Sequence, residues 1–337
     1  MPTTMSEHKK ALHKPPLCEL LPIRDYLDGV AIQTDGSFVA GYELDGLNSY
    51  YHDDEGRNRS KHAFEALVRS LPERSMRMQI RFEITEGIGD VRKQYPRLHR
   101  SDNAVLQEID RIRMRQWDEN DAAGYYLRHL LHAYFIWNPR THHEMAERLE
   151  GRKRNWFSLS VDKCIQRTQR EHEDLLAEFS SLLAGVEQTL AATGMRTRRM
   201  ADGDMFVEAK RSLNPVFEDR GAYRRGDLSI AYRSAREQIV NTSIEDEQEG
   251  YIQVGGFLYT FVSMKDLPDG TFPGILRELM VLDFPVVVNA EVTIPDQTKV
   301  IAGFKGRMKK MQAAQIDSRG GHMINVDAAV RSEERRV

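Results

Sequence analysis

Residues 61–84 read KHAFEALVRSLPERSMRMQIRFEI, and this stretch joins a helix directly to a strand. Apolar residues recur at helical spacing in its first half, which predicts a helix over residues 59–71 with one apolar stripe. Pro72 ends that helix, because proline disfavours the helical conformation of the residue before it. Apolar and polar side chains then alternate from Met76 to Ile84, as expected for a strand with one buried face and one face in water.

The residues before this stretch predict a β-hairpin. Residues 29–44 read GVAIQTDGSFVAGYEL, with two runs of strand-forming residues around Asp35-Gly36, and Asp-Gly is a strong signal for a tight turn. Alternation predicts which side chains share a face of each strand: Val30 and Ile32 on the first, and Phe38, Ala40 and Tyr42 on the second.

A second helix and a further strand follow the opening stretch. Ser101 or Asp102 can cap the helix, which extends to about residue 121, and residues 125–138 are typical of a strand. The first half therefore has the order strand–strand–helix–strand–helix–strand, a split βαβ pattern. The apolar stripe of the second helix consists of Val105, Leu106, Ile109, Ile112 and Trp117.

The second half of the chain starts with helices and then returns to strands. The pattern predicts a long helix over residues 161–192, a short helix over 202–212, strands within 237–246 and 250–265, a helix over 272–283, a strand over 284–295, and a long helix from Asp296.

These elements predict an α+β fold: two split-βαβ (ferredoxin-like) lobes with antiparallel or mixed sheets, joined by a long helical segment. The expected divisions are a flexible tail over residues 1–19, a first α+β lobe over 20–138, a basic loop and helical segment over 139–235, and a second α+β lobe over 236–337 that ends in a long helix.

Composition bounds the class of protein. The 48 basic and 51 acidic residues of this 337-residue chain leave a net charge of −3, so there is no overall drive toward nucleic acid or anionic lipid. Two cysteines, Cys18 and Cys164, cannot build a disulfide scaffold and favour a cytosolic setting. No apolar run reaches the roughly 20 residues that span a bilayer, so we expect no direct membrane span.

No stretch carries a recognisable catalytic motif. A phosphate-binding loop needs GxxxxGK[ST] between a strand and a helix, whereas GFKGRMKK (residues 303–310) has the wrong spacing and lies in a predicted helix. We therefore expect no catalytic, cofactor-binding or metal-binding residues in this chain.

The histidines and the acidic segment HDDE (residues 52–55) also lack the spacing of metal ligands. A solvated or packed structural role is the favoured interpretation of the segment and of each histidine that could be suspected of binding a metal: His129, His132, His142, His143 and His172.

The long helix carries a heptad-like seam, which is the strongest feature of the second half. The seam either packs against the chain's own fold or makes an inter-domain or inter-subunit contact, and the latter is our hypothesis for its candidate interface residues: Leu175, Phe179, Leu182 and Val186.

In the opening stretch, the pattern predicts that Leu67, Leu71, Met78 and Ile80 pack inward. The predicted basic surface, available to solvent or to a partner, comprises Arg69, Arg77 and Arg81 together with Arg152, Lys153 and Arg154. Further basic runs lie at residues 111–115 and 196–199, and acidic residues surround most of them.

The order of these pieces resembles the N-terminal region of the type IV secretion and conjugative-transfer ATPases, the fourth component of the VirB system with its TrbE, TraC and CagE relatives. The resemblance covers about residues 20–314 and rests on three motifs: LPIRDYLDGVAIQTDGSFVAGYELDG, ALVRSLPERSMRMQIRFE, and the PG-containing helix with its following strand in residues 250–294.

The resemblance implies an assembly role without catalysis. In the family, ATP and magnesium are bound by a motor domain that would follow Val337, so no ATP hydrolysis is expected from this chain alone. The implied partners are inner-membrane secretion-channel proteins, copies of this chain and other secretion ATPases, at the cytoplasmic face of the bacterial inner membrane. A nucleic-acid-binding module of a DNA-transfer machine is the alternative, so DNA is a possible but not a favoured partner.

Overall fold

The computed structural model describes residues 17–46, 53–88, 91–92, 95–96, 101–143, 161–215, 223–224, 234–245, 250–263, 279 and 281–317. The strands in these ranges are β1 (Ile23–Leu27), β2 (Val30–Gln33), β3 (Phe38–Leu44), β4 (Met76–Glu86), β5 (Leu127–Trp137), β6 (Thr197–Arg199), β7 (Ile244–Glu245), β8 (Ile252–Val254), β9 (Phe257–Tyr259) and β10 (Val286–Thr293). The helices with defined bounds are α1 (Leu17–Leu20), α2 (Asp54–Ser70), α3 (Ala104–Ala122), α4 (Val161–Ala192), α5 (Asp202–Leu213), α6 (Ala235–Ile239) and α7 (Gln297–Asp317).

One antiparallel sheet organises the described residues. Its strand order is β1-β2-β3-β5-β4-β10, with β6 also paired to β3, and β7, β8 and β9 form a separate small sheet. β4 and β5 pair over their whole length, from Met76 opposite Trp137 to Glu86 opposite Leu127. The structure is therefore a mixed α+β fold with an antiparallel sheet, which confirms the predicted class at that level.

One face of the sheet buries the larger core beneath α2 and α4. The side chains that were predicted to face inward in the β2–β3 hairpin and in residues 61–84 contribute to this core. The predicted buried faces of these two segments are therefore confirmed. Leu67 and Leu71 are buried at the end of α2, where Pro72 follows the last helical turn as predicted. The core members named here are Val30, Phe38, Ala40, Tyr42, Met76, Met78, Phe135, Trp137, Phe179, Leu183 and Leu190.

The opposite face carries a second core beneath α5 and α6. Tyr26 and Ala31 of the sheet pack there with Met205 and Phe206 of α5 and Ile239 of α6. Helices therefore cover both faces of the sheet near β1, β2 and β3.

Gly41 lets the second core approach β3 closely. A Cβ atom at this position would lie 2.8 Å from Sδ of Met200, 3.2 Å from Cε1 of Tyr134 and 3.3 Å from Cγ of Met205. Because Gly41 has no side chain, these three side chains can pack directly against the backbone of β3.

The start of α2 differs from the prediction. The helix begins at Asp54 rather than at residue 59, because the Asp53 carboxylate accepts a 2.8 Å hydrogen bond from the backbone N–H of Gly56. Asp54 and Glu55 then lie in the first turn, where negative charge complements the helix dipole. The acidic segment at residues 52–55 thus supplies the cap and the first residues of this helix.

Two further segments also differ from the prediction. Residues 237–239 belong to α6 where a strand was expected, because the i, i+4 pair Ala235 and Ile239 is buried in the second core. Residues 197–199, for which no helix or strand was predicted, form β6 and pair with Tyr42–Leu44 of β3.

β10 joins the main sheet, although it was predicted as part of a separate second lobe. All eight of its residues pair with β4, and Val292 and Ile294 pack against the larger core. The predicted helix over residues 272–283 lies mostly outside the described residues. Among the described helices, none combines the length and the apolar character that crossing a bilayer requires.

Candidate functional site

The predicted interface seam of α4 lies against the chain's own sheet. Phe179 and Val186 are fully buried, and Leu175 and Leu182 are partly buried against the same core. The ring of Phe179 stacks on the indole of Trp137, with centroids 5.5 Å apart and ring planes within 6°. The seam is thus an internal contact between α4 and the sheet. The inter-subunit interpretation needs this correction, because an apolar stripe is equally suited to a sheet and to another subunit.

The predicted basic surface is only partly exposed. The Arg69 side chain is 81% exposed, whereas the Arg77 guanidinium lies 3.6 Å from the Glu291 carboxylate of β10. The Arg81 side chain is only 18% exposed and lies 3.1 Å from Glu83, so it does not belong to an open basic surface. Residues 152–154, with Arg152, Lys153 and Arg154, lie outside the described residues.

Arg81 instead belongs to an ion network between β4 and α5. The Arg211 guanidinium contacts both oxygens of Glu83, at 2.6 and 3.0 Å, and also the Glu208 carboxylate at 2.6 Å. Burial on its own would raise the pKa of Glu83, but the adjacent Arg211 and Arg81 guanidiniums lower it below its ordinary value. The network therefore keeps Glu83 ionised against the sheet.

His132 lies on the same face of the sheet, opposite Arg81 in the β4–β5 register. It is 3% exposed, and its Nδ1 atom has no hydrogen-bond partner among the described residues. Burial, its largest influence, lowers the pKa of His132, so the imidazole is neutral at pH 7. Its enclosure prevents it from meeting a substrate, which makes this a structural polar cluster.

The remaining suspected histidines contact acidic or aromatic neighbours. Nε2 of His142 and Nε2 of His143 lie 3.3 and 3.0 Å from the Glu178 carboxylate, and His172 lies 3.7 Å from Asp28. In the part of the chain that the structure describes, no group of three or more potential ligands could hold a metal ion.

An exposed apolar surface remains on α3, where the sequence predicted the apolar stripe. Four side chains form this α3 apolar face, and none of the residues of α3 is buried. The exposed fractions are 66% for Val105, 48% for Leu106, 45% for Ile109 and 53% for Ile112. The sequence pattern identifies the α3 apolar face. It does not show that the face remains exposed in the fold.

Among the described residues, the contacts between α3 and the segment that precedes it run from Asp110 to Asp121. The Trp117 ring packs edge-on against Tyr95 with centroids 4.8 Å apart, and Asp118 pairs with Arg92. The Asp121 carboxylate accepts a 3.0 Å hydrogen bond from the backbone N–H of Ile88. The α3 apolar face thus lies on the helix that connects β4 with β5.

Balanced ion pairs border the α3 apolar face. Nε of Arg111 lies 2.8 Å from Glu108, and Nη1 of Arg113 lies 3.2 Å from Asp110. Arg111 and Arg113 of this basic run are therefore paired along the helix, which reduces their attraction for phosphates. The same holds for Arg198, which contacts the Glu43 and Asp204 carboxylates.

Comparison with known proteins adds no assignment, since no family model matches the chain and no curated protein matches it significantly.

Proposed function

We propose that this chain is an assembly domain: the N-terminal region of a type IV secretion or conjugative-transfer ATPase, which docks a motor to the inner-membrane channel and to other subunits. The observation that carries the docking role is the α3 apolar face. The secretion family itself is proposed on the motif resemblance alone.

The sheet topology supports the ferredoxin-like part of the proposal. β3 and β4 both pair antiparallel with β5, so they run parallel to each other on its two sides, and α2 connects them. This arrangement corresponds to a split βαβ unit. It favours a ferredoxin-like first lobe, with the second lobe of the proposal built around β7, β8 and β9.

The energetics of α3 favour a partner. Isolated helices are marginal in water, and most helical stability in proteins comes from packing of an apolar face. The four side chains of the α3 apolar face are about half exposed. Covering them would contribute about 3 to 6 kcal/mol before the cost of association is subtracted.

We assign the α3 apolar face to a second copy of this chain. A strongly acidic or basic partner would be matched by a border of one charge, whereas the pairs Glu108–Arg111 and Asp110–Arg113 give a balanced border. Such a border lets two copies of α3 approach without net repulsion. The channel proteins and other secretion ATPases would then use different surfaces.

The nucleic-acid alternative has less support. Arg111, Arg113 and Arg198 already contact carboxylates, so binding phosphates there would require breaking ion pairs. ATP and magnesium belong, in this proposal, to a motor domain, and the described residues of this chain supply docking surfaces.

Site-specific photocrosslinking tests the docking role. We would replace Ile109 with p-benzoylphenylalanine, purify the protein and irradiate it, with the same replacement at Gln107 on the opposite side of α3 as the control. We expect a product of twice the chain's mass from position 109 and little from position 107. Absence of any product from position 109 would contradict a docking role for this face. When the same variant is irradiated in cells, a product with a channel protein in place of the dimer would contradict our choice of partner.

A further inference from the structure

A small cavity opens between β1, the β2–β3 turn and the start of α6. Its volume is about 280 Å³, and the described residues that line it are Arg24, Thr34, Ser234 and Arg236. Two arginines and two hydroxyl-bearing residues therefore line one space, and all four side chains can donate hydrogen bonds.

Neither arginine of this cavity has a carboxylate partner among the described residues, and this distinguishes them from other arginines of the chain. Arg198 contacts two carboxylates, and so does Arg211. Two guanidiniums that line one cavity without carboxylate partners favour the binding of an anion there.

The carboxylates nearest in sequence are engaged with other donors. Asp25 accepts a 2.9 Å hydrogen bond from the next backbone N–H, and Asp35 accepts 2.9 and 3.0 Å bonds from the backbone and hydroxyl of Ser37. The Glu237 carboxylate accepts a 2.6 Å bond from the backbone N–H of Ser234. These bonds hold the acidic groups in place without using either guanidinium.

The walls of the cavity are fixed by the second core. Ala235 lies between Ser234 and Arg236 in the sequence and is 1% exposed. Ile239, on the next turn of α6, is fully buried. On the opposite wall, the backbone N–H of Thr34 donates a 2.8 Å hydrogen bond to the carbonyl of Pro22. The two arginines are therefore presented from anchored backbone rather than from free segments.

We propose that this cavity binds a phosphate group, either as inorganic phosphate or as the phosphomonoester of a small molecule. The planar fork of a guanidinium matches two phosphate oxygens, and two forks with two hydroxyls can satisfy a tetrahedral dianion. A cavity of about 280 Å³ is at the lower end of the size range of ligand sites, so it suits a phosphate group and its immediate substituent. The site is independent of the proposed docking function.

Titration calorimetry with inorganic phosphate and with glycerol 3-phosphate, at constant ionic strength, tests the site. We expect saturable binding by the unmodified chain and at least about tenfold weaker binding by Arg24→Gln and by Arg236→Gln, because each removes charge-assisted hydrogen bonds. Arg69→Gln, whose side chain is 81% exposed on α2, serves as the control and should bind like the unmodified chain. Unchanged melting temperatures would verify that the variants are folded.

Vesicles separate a lipid source of the phosphate group from a free one. Binding to vesicles with phosphatidic acid, whose headgroup is a phosphomonoester, but not to phosphatidylglycerol vesicles, would support the site if both arginine variants abolish it. The proposal is overturned if neither phosphate compound nor phosphatidic acid binds, or if Arg69→Gln weakens binding as much as Arg24→Gln and Arg236→Gln do.

Discussion

The indole of Trp137 on β5 stacks face to face on the ring of Phe179 on α4, with centroids 5.5 Å apart. Both side chains are fully buried, and Phe38 of β3 packs against each ring at 6.1 Å. These three aromatic side chains connect the hairpin, the long β4–β5 pair and the long helix into one core.

Phe179→Ala should therefore destabilise the fold strongly. Removing a fully buried aromatic ring costs about 3 to 5 kcal/mol through lost burial and the cavity left behind. Leu182→Ala, at a partly buried position of the same seam, is the matched control and should cost clearly less. The free energy of unfolding, measured by urea denaturation, checks the pair. Equal costs, with a change in oligomeric state in either variant, would restore the inter-subunit interpretation of the seam.

Gly41→Ala should destabilise the chain by about 1 to 3 kcal/mol, because the added methyl group would overlap Met200 and crowd two further side chains. Gly306→Ala on α7 is the control, since a Cβ there meets nothing within 4 Å. It should be neutral or stabilising by up to about 1 kcal/mol through helix propensity. Thermal unfolding of both variants decides this, and a Gly41→Ala protein as stable as the unmodified chain would show that Gly41 does not lie this close to Met200 and its neighbours.

Glu83→Gln should lower stability at pH 7 by about 3 kcal/mol, because it leaves the Arg211 guanidinium buried with a weaker partner. The folded-state pKa of Glu83 is lowered, so its stabilising contribution is complete above the unfolded-state pKa of about 4.5 and disappears as the pH falls through the folded value. The stability difference between the variant and the unmodified chain should shrink below pH 4.5. A difference that is constant from pH 7 to pH 3 would contradict the ion network.

His132→Gln should remove a second pH dependence. Because burial lowers the folded-state pKa of His132, the neutral form stabilises the fold above the unfolded-state pKa of about 6.5, and this contribution is lost as the pH falls below that value. Unfolding free energies between pH 8 and pH 5 should thus fall less steeply in the variant. Identical slopes in the variant and the unmodified chain would contradict the assignment.

Local patterns predicted the elements that form from neighbouring residues. The heptad-like spacing predicted α4, and Asp35-Gly36 predicted the hairpin turn, because both signals lie within the elements that they determine. The start of α2 was missed because an Asp cap and a polar loop have the same composition.

Long-range pairing could not be predicted in the same way. Glu83 and Arg211 are 128 residues apart, and each looks like an ordinary surface charge in its own segment. The sequence likewise predicts apolar stripes on both α3 and α4, but only the arrangement of the sheet decides that Phe179 is covered while Ile109 is 45% exposed. The candidate docking site therefore required the structure.

Sedimentation velocity across a concentration series tests the central claim most directly. The unmodified chain should shift from monomer to dimer with concentration, and the double variant Ile109→Glu with Ile112→Glu should stay monomeric with an unchanged melting temperature. The control double variant Ala104→Glu with Gln107→Glu adds the same charge on the other side of α3 and should still dimerise. A chain that is monomeric throughout, or dimers that persist in the Ile109→Glu, Ile112→Glu variant, would contradict assembly through the α3 apolar face.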